Sequence, residues 1–167
     1  MQVELIFIGN ELLSGLRVNT NASFIADKLK VLGFDIYRHT VVSDNEEDIN
    51  EALQEALRRS SLVITTGGLG PTCDDNTKKV ACHLFKDSLE FSKEIAEELK
   101  DRYGEISSIP SQSTVPIAAK ILKNSEGTAP GFVFRSDTST LILLPGVPVE
   151  MKRMFDIEVL PYLKEHF

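Results

Sequence analysis

A chain of 167 residues, 42% of them hydrophobic, has room for one domain around one core, so residues 1–167 are expected to form a single domain. Its apolar runs, such as Leu5 to Ile8 and Leu141 to Leu144, are far too short to span a bilayer. A formal charge of −7, with no cluster of basic residues to offset it, disfavours a nucleic-acid partner and makes any bound phosphate depend on local donors or a metal ion.

Glu4 and Glu11 stand where a signal peptide would be uncharged or basic, which gives the expectation of a cytoplasmic protein. Cys73 and Cys82, without C-x-x-C spacing, fit neither a disulfide framework nor a zinc site and read as ordinary thiols.

In chain order, Val3 to Ile8 reads as a strand. Asn19 to Leu32 follows as a helix with Ala22, Ile25, Ala26, Leu29 and Leu32 on one face and Gly33 closing it. Phe34 to Val42 is a second strand with imperfect alternation, and Ile49, Leu53, Ala56 and Leu57 mark an amphipathic helix. Leu62 to Thr66, short, β-branched and almost wholly apolar, has the character of a central strand buried on both faces of a parallel sheet. Beyond a glycine loop, Asp75 to Phe85 and Ser88 to Tyr103 read as helices, the second with Phe91, Ile95 and Leu99 in line and Gly104 at its end.

The Ser- and Pro-containing stretch from Ile106 to Pro116 reads as irregular surface. Phe132 to Phe134 and Thr140 to Leu144 look like strands paired through the turn Ser136 to Ser139, and Val149 to Lys164 looks helical with a break at Pro161. This alternation predicts a three-layer α/β/α fold with a mostly parallel sheet, the 132–144 hairpin giving an antiparallel edge and ligands meeting the carboxyl ends of the strands.

The strongest chemical signal is Thr65 to Thr77, TTGGLGPTCDDNT, where a buried strand runs through glycines into a helix. Gly67, Gly68, Leu69 and Gly70 bring bare backbone close to a ligand, and successive N–H groups beside a helix start form an anion site, with Thr72 and Thr77 at hand. The same glycines would also serve a tight strand-to-helix turn with no ligand. The spacing is neither G-x-G-x-x-G nor G-x-x-x-x-G-K-[ST], so dinucleotide-binding and P-loop readings recede.

Two adjacent carboxylates, Asp74 and Asp75, repel a phosphate unless a divalent cation such as Mg²⁺ bridges them; the alternative is that either simply caps the following helix. Asp44 and Glu11 follow other strands and are candidates to face the same ligand, although Ser43 to Glu46 also matches a capping box. Gly127 to Gly131 and Leu144 to Pro148 are turn segments that bring Thr128 and Gly146 towards the same edge. His39, His83 and His166 stand apart from any nucleophile, so no Ser-His-Asp or Cys-His arrangement is expected.

Taken together, GNELLSG, VNTN, TTGGLGPTCDDNT, GTAPGF and LPGVPVEM resemble, in order and nearly end to end, the CinA amino-terminal domain family. The resemblance implies the fold of the molybdopterin-binding proteins of the MoaB, MogA and gephyrin type, self-association into a homo-oligomer, and hydrolysis of ADP-ribose or a similar nucleotide diphosphate with divalent Mg, Mn or Co. In the wider fold the glycine loop leads to Arg-Asp-x-Thr. Asp75 therefore stands at the functional aspartate and Asp74 replaces the arginine, which weighs against the pterin contacts of those relatives. Relatives also carry Asn-x-Lys-Gln-Ala where this chain has Ile109-Pro110-Ser111-Gln112-Ser113; with Ser111 for the lysine, the resemblance implies binding more firmly than turnover. Two alternatives stay open: a molybdopterin-binding or adenylyl-transferring protein, and a non-catalytic nucleotide-binding module.

Overall fold

A computed structural model describes residues 2–72 and 74–167. Six strands form one sheet in the order β2-β1-β3-β8-β7-β6. β1 (Gln2–Ile8), β2 (Asp35–Val42), β3 (Leu62–Thr66) and β8 (Thr140–Leu144) run parallel, while β7 (Gly131–Arg135) is antiparallel to both β8 and β6 (Lys120–Leu122). β3 is central and wholly buried, as its apolar and β-branched composition suits a strand covered on both sides.

Alternate residues of each strand feed two cores. Val3, Leu5, Phe7, Ile64, Ile142 and Leu144 face α2 (Thr20–Val31) and the C-terminal helices. Ile6, Ile8, Val63, Leu141 and Leu143 face α3 (Glu46–Arg59) and α4 (Thr77–Phe85). Glu4 breaks the apolar pattern of β1 at a fully buried position. Its carboxylate is satisfied there by the Arg59 guanidinium on both oxygens, at 3.1 and 3.0 Å, and by Ser60 Oγ at 2.9 Å.

Several elements depart from expectation. Residues 89–91 are not helical: β4 (Leu89–Phe91) pairs antiparallel with β5 (Thr114–Pro116), and α5 (Lys93–Tyr103) begins only after Ser92, whose side chain accepts from Ile95 N. Phe91 is thus 54% exposed on a strand instead of lying in line with Ile95. The stretch read as irregular contains β5 and the short α6 (Ile109–Gln112). β6, unforeseen, forms the sheet edge outside the expected hairpin.

α1 is the single turn Asn10–Leu13. The C-terminal helix does not break at Pro161. α7 (Pro148–Met154) passes through a π-helical turn, Phe155–Val159, into α8 (Leu160–His166), which places Pro161 in the first turn, where a missing N–H is tolerated. Among the described residues no helix is long and apolar enough to cross a membrane.

Candidate functional site

Parallel pairing brings the carboxyl ends of β1, β3 and β8 side by side, so the three loops that follow them meet. Gly9 N donates to Val42 O and Gly67 N to Leu144 O, each at 3.0 Å, which ties the loops after β1 and β3 to the ends of β2 and β8. The result is a cleft of about 450 Å³. Its walls include Gly67 to Gly70, Thr72, Asp74, Asp75, Glu11, Asp44, Thr128 and Gly146, so all but one of the expected site residues are brought together.

The exception is Thr77. It is fully buried and lies behind the loop, donating Oγ1 to Gly67 O at 3.1 Å and its N–H to Gly68 O at 3.2 Å. Gln112 adds a third brace, from Nε2 to Leu69 O at 3.2 Å. Three consecutive carbonyls are thereby held by the protein, while the N–H groups of Gly68, Leu69 and Gly70 have no acceptor among the described residues. Gly67 and Gly68 take left-handed angles, φ 104° and 67°, and a Cβ at Gly68 would fall on Thr77 Oγ1. The loop thus has its donors left over and its acceptors engaged, which is what binding an anion through backbone would require.

Asp75 and Asp44 are placed by contacts other than helix capping. Asp75 Oδ2 accepts from Thr72 N at 2.9 Å and Thr72 Oγ1 at 2.5 Å, and the cap position of α4 is Asn76, without a side-chain cap bond. Asp44 does not cap α3; Asn45 does, accepting from Glu47 N at 2.7 Å, while Asp44 Oδ2 accepts from Asn10 N at 3.2 Å and is pinned against α1. Asp44 and Asp74 also border an adjoining cavity of about 790 Å³, whose wall holds Asn10, Asn45, Asn50, Asn76 and His83.

Sequence reasoning missed three contributors. Arg17 and Glu150 line the cleft. Asn21, buried, donates Nδ2 to Gly146 O at 2.9 Å and to Thr66 Oγ1 at 3.4 Å, fastening the proline loop to the end of β3. Asn21 and Glu150 lie inside the VNTN and LPGVPVEM motifs and could have been singled out on that ground; Arg17 carries no such signal. Ser111 is exposed and does not line the cleft; its carbonyl accepts from Lys78 Nζ at 2.9 Å. Cys73 lies outside the described residues. Cys82 is a free, buried thiol, and burial pushes its pKa up to about 11, so it is no thiolate at neutral pH.

Among the described residues no group of three or more His, Cys, Asp or Glu is close enough to form a ready-made metal site. Glu11, Asp44, Asp74 and Asp75 nevertheless line the cleft. Such hard oxygen donors suit an ion of the Mg²⁺ type, which takes one or two carboxylates and completes its shell with water and ligand phosphate.

The fold and the glycine loop define a molybdopterin-binding-type domain. A family model described as "Probable molybdopterin binding domain" matches residues 4–165. A solved structure of MoaB from Thermus thermophilus is similar at a TM-score of 0.67 and 20% identity, covering 98% of this chain and 92% of that one; at that identity it speaks for the fold alone.

The chain belongs to the CinA family within this fold, since the solved structure of CinA from Thermoplasma acidophilum is 34% identical with a TM-score of 0.85, covering 93% of this chain and 94% of that one. A CinA-like protein of Kosmotoga olearia is 45% identical over 172 residues, covering 98% of this chain. This chain spans 41% of the length of that relative.

Proposed function

We propose that the cleft binds a nucleotide through its diphosphate and, with a divalent cation, hydrolyses it, ADP-ribose being the substrate type suggested by the family resemblance. The observation that carries this reading is the row of three acceptor-free N–H groups, Gly68 to Gly70, set beside the carboxylates of Asp74 and Asp75. Donors of that kind hold phosphate oxygens, and two carboxylates next to a polyanion make sense when a cation is shared between them.

In this reading the glycine loop orients one phosphate, and Asp75, fixed by Thr72, and Asp74 hold the cation, which supplies charge neutralisation when bound. Asp44, fixed by Asn10, or Glu11 takes the proton of the attacking water. Water adds to phosphorus, the bridging P–O bond breaks, and AMP and ribose 5-phosphate leave. The test is release of AMP from ADP-ribose with Mg²⁺, Mn²⁺ or Co²⁺. Turnover should vanish in chelator and fall about a hundredfold in Asp75→Asn. No AMP with any of the three ions, or full activity in Asp75→Asn, would sink the proposal.

A second reading, a molybdopterin-binding or adenylyl-transferring domain, rests on the family model, whose description names that ligand. Asp74, standing where the wider fold has arginine, weighs against it. Retention of a fluorescent oxidised pterin after purification, without nucleotide cleavage, would favour it. Tight ADP-ribose binding without turnover would instead mark a non-catalytic nucleotide-binding module.

A further inference from the structure

Glu150 stands apart from the other carboxylates of the cleft. It comes from α7 and meets the loop between β6 and β7, whereas Asp74 and Asp75 belong to the glycine loop and its continuation. That opposite loop is organised by one side chain. Asn124, 8% exposed, donates Nδ2 to Ala129 O at 2.8 Å and to Glu150 Oε2 at 2.7 Å. Its Oδ1 accepts from Glu126 N at 3.0 Å and Gly127 N at 2.9 Å. Arg102 fixes the same loop from behind, donating to Asn124 O at 2.8 Å and Ser125 O at 2.6 Å.

Gly127 completes the seat. It has no left-handed backbone angle to explain it, but a Cβ there would fall on the Glu150 carboxylate. The loop thus makes room for Glu150 and holds one of its oxygens. Oε1 has no donor among the described residues, and the Thr128 side chain has no partner either, although both residues border the cleft.

An ionised carboxylate is an acceptor only, so on the wall of a phosphate cleft it repels phosphate and is suited to a donor on the ligand. In a nucleotide the donors next to the phosphates are sugar hydroxyls, and recognition of ribose hydroxyls by a fixed Asp or Glu is established chemistry in other nucleotide sites. We propose that Glu150, positioned by Asn124 and Gly127, accepts a hydrogen bond from a ribose hydroxyl beside the bound phosphate and makes the cleft selective for an unmodified ribose. This rests on the nucleotide reading above and adds the feature by which the sugar is chosen.

Calorimetric titration in Mg²⁺ tests it, with ADP against 2′,3′-dideoxy-ADP, ribose 5-phosphate against 2-deoxyribose 5-phosphate, and inorganic pyrophosphate as the sugar-free probe. The wild-type chain should prefer the hydroxylated member of at least one pair by about tenfold or more. Glu150→Gln should abolish that preference without weakening pyrophosphate binding, which the lost repulsion favours. Asn124→Ala and Gly127→Ala should reduce the same preference. That ratio does not move if they only lower stability, which thermal melting records separately.

Equal losses for ADP and pyrophosphate in Glu150→Gln would place the residue on the phosphate or its cation and overturn the proposal. A wild-type chain indifferent to the hydroxyls in both pairs would do the same while leaving the nucleotide reading intact. Failure of the wild type to bind any probe would remove that reading and this one together.

Discussion

At the scale of single residues, the glycine loop is shaped by a side chain that lies behind it and does not line the cleft. Thr77 gives Oγ1 to Gly67 O and N–H to Gly68 O, and both bonds keep carbonyls out of the cleft. Thr77→Val keeps the shape and deletes the first of them, leaving a buried acceptor unsatisfied at a cost of about 1–3 kcal/mol. The measurable outcome is a lower chemical-denaturation midpoint together with weaker pyrophosphate binding; a full loss of midpoint with unchanged binding would show that the loop does not depend on it. Asp44 and Asn45 allow a sharper comparison, because neighbouring residues have divided two tasks. Asn45→Ala should cost about 1 kcal/mol of stability as a lost helix cap, with little effect on the cleft. Asp44→Ala should release Asn10 and depress ADP-ribose hydrolysis while sparing the cap. Reversed outcomes in denaturation and activity assays would restore the capping role to Asp44.

At the scale of elements, what could be read from the chain was whatever has a period long enough to see. Residues 62–66 announce a buried strand because all five are apolar or β-branched, and α3 announces itself through Ile49, Leu53 and Ala56 at helical spacing. The three-residue strands β4, β5 and β6 are shorter than any reliable alternation, and Phe91 happened to fall at helical spacing from Ile95 and Leu99 although it sits on a strand. The site followed the same rule. Its glycine loop and acidic pair are contiguous and legible, whereas the Asp44 contact with Asn10 spans 34 residues and that of Asn124 with Glu150 spans 26, distances no local pattern reports.

The β4–β5 pair also depends on a long-range latch. Lys78 of α4 donates Nζ to Ser111 O and to Thr114 O, the latter at 2.6 Å. Lys78→Met should free this unit from α4, so amides of residues 89–116 should exchange faster while those of β1, β3 and β8 keep their protection. Uniform acceleration across the sheet would show instead that Lys78 supports the whole fold.

At the scale of the whole molecule, a buried thiol and a half-buried ammonium on α4 set opposite trends of stability with alkaline pH. Burial pushes the Cys82 thiol from 9.0 up to about 11, with Asp87 adding to the effect and Lys78 opposing it. The folded state therefore keeps a proton that the unfolded chain releases, and the associated stability is present below pH 9 and lost as pH rises through 11. Two units correspond to about 2–3 kcal/mol. Burial also pushes the Lys78 ammonium below its usual 10.5. Here the unfolded chain binds more protons, so this contribution rises with pH until 10.5 is passed. Wild-type stability should consequently fall above pH 9 less steeply than the thiol alone dictates. Cys82→Ala removes the falling component, and the difference between wild type and variant should shrink by about 2–3 kcal/mol between pH 9 and 11. Denaturant titrations at a series of pH values measure that difference directly, and one that stayed constant across the range would mean that Cys82 is open to solvent in the folded protein.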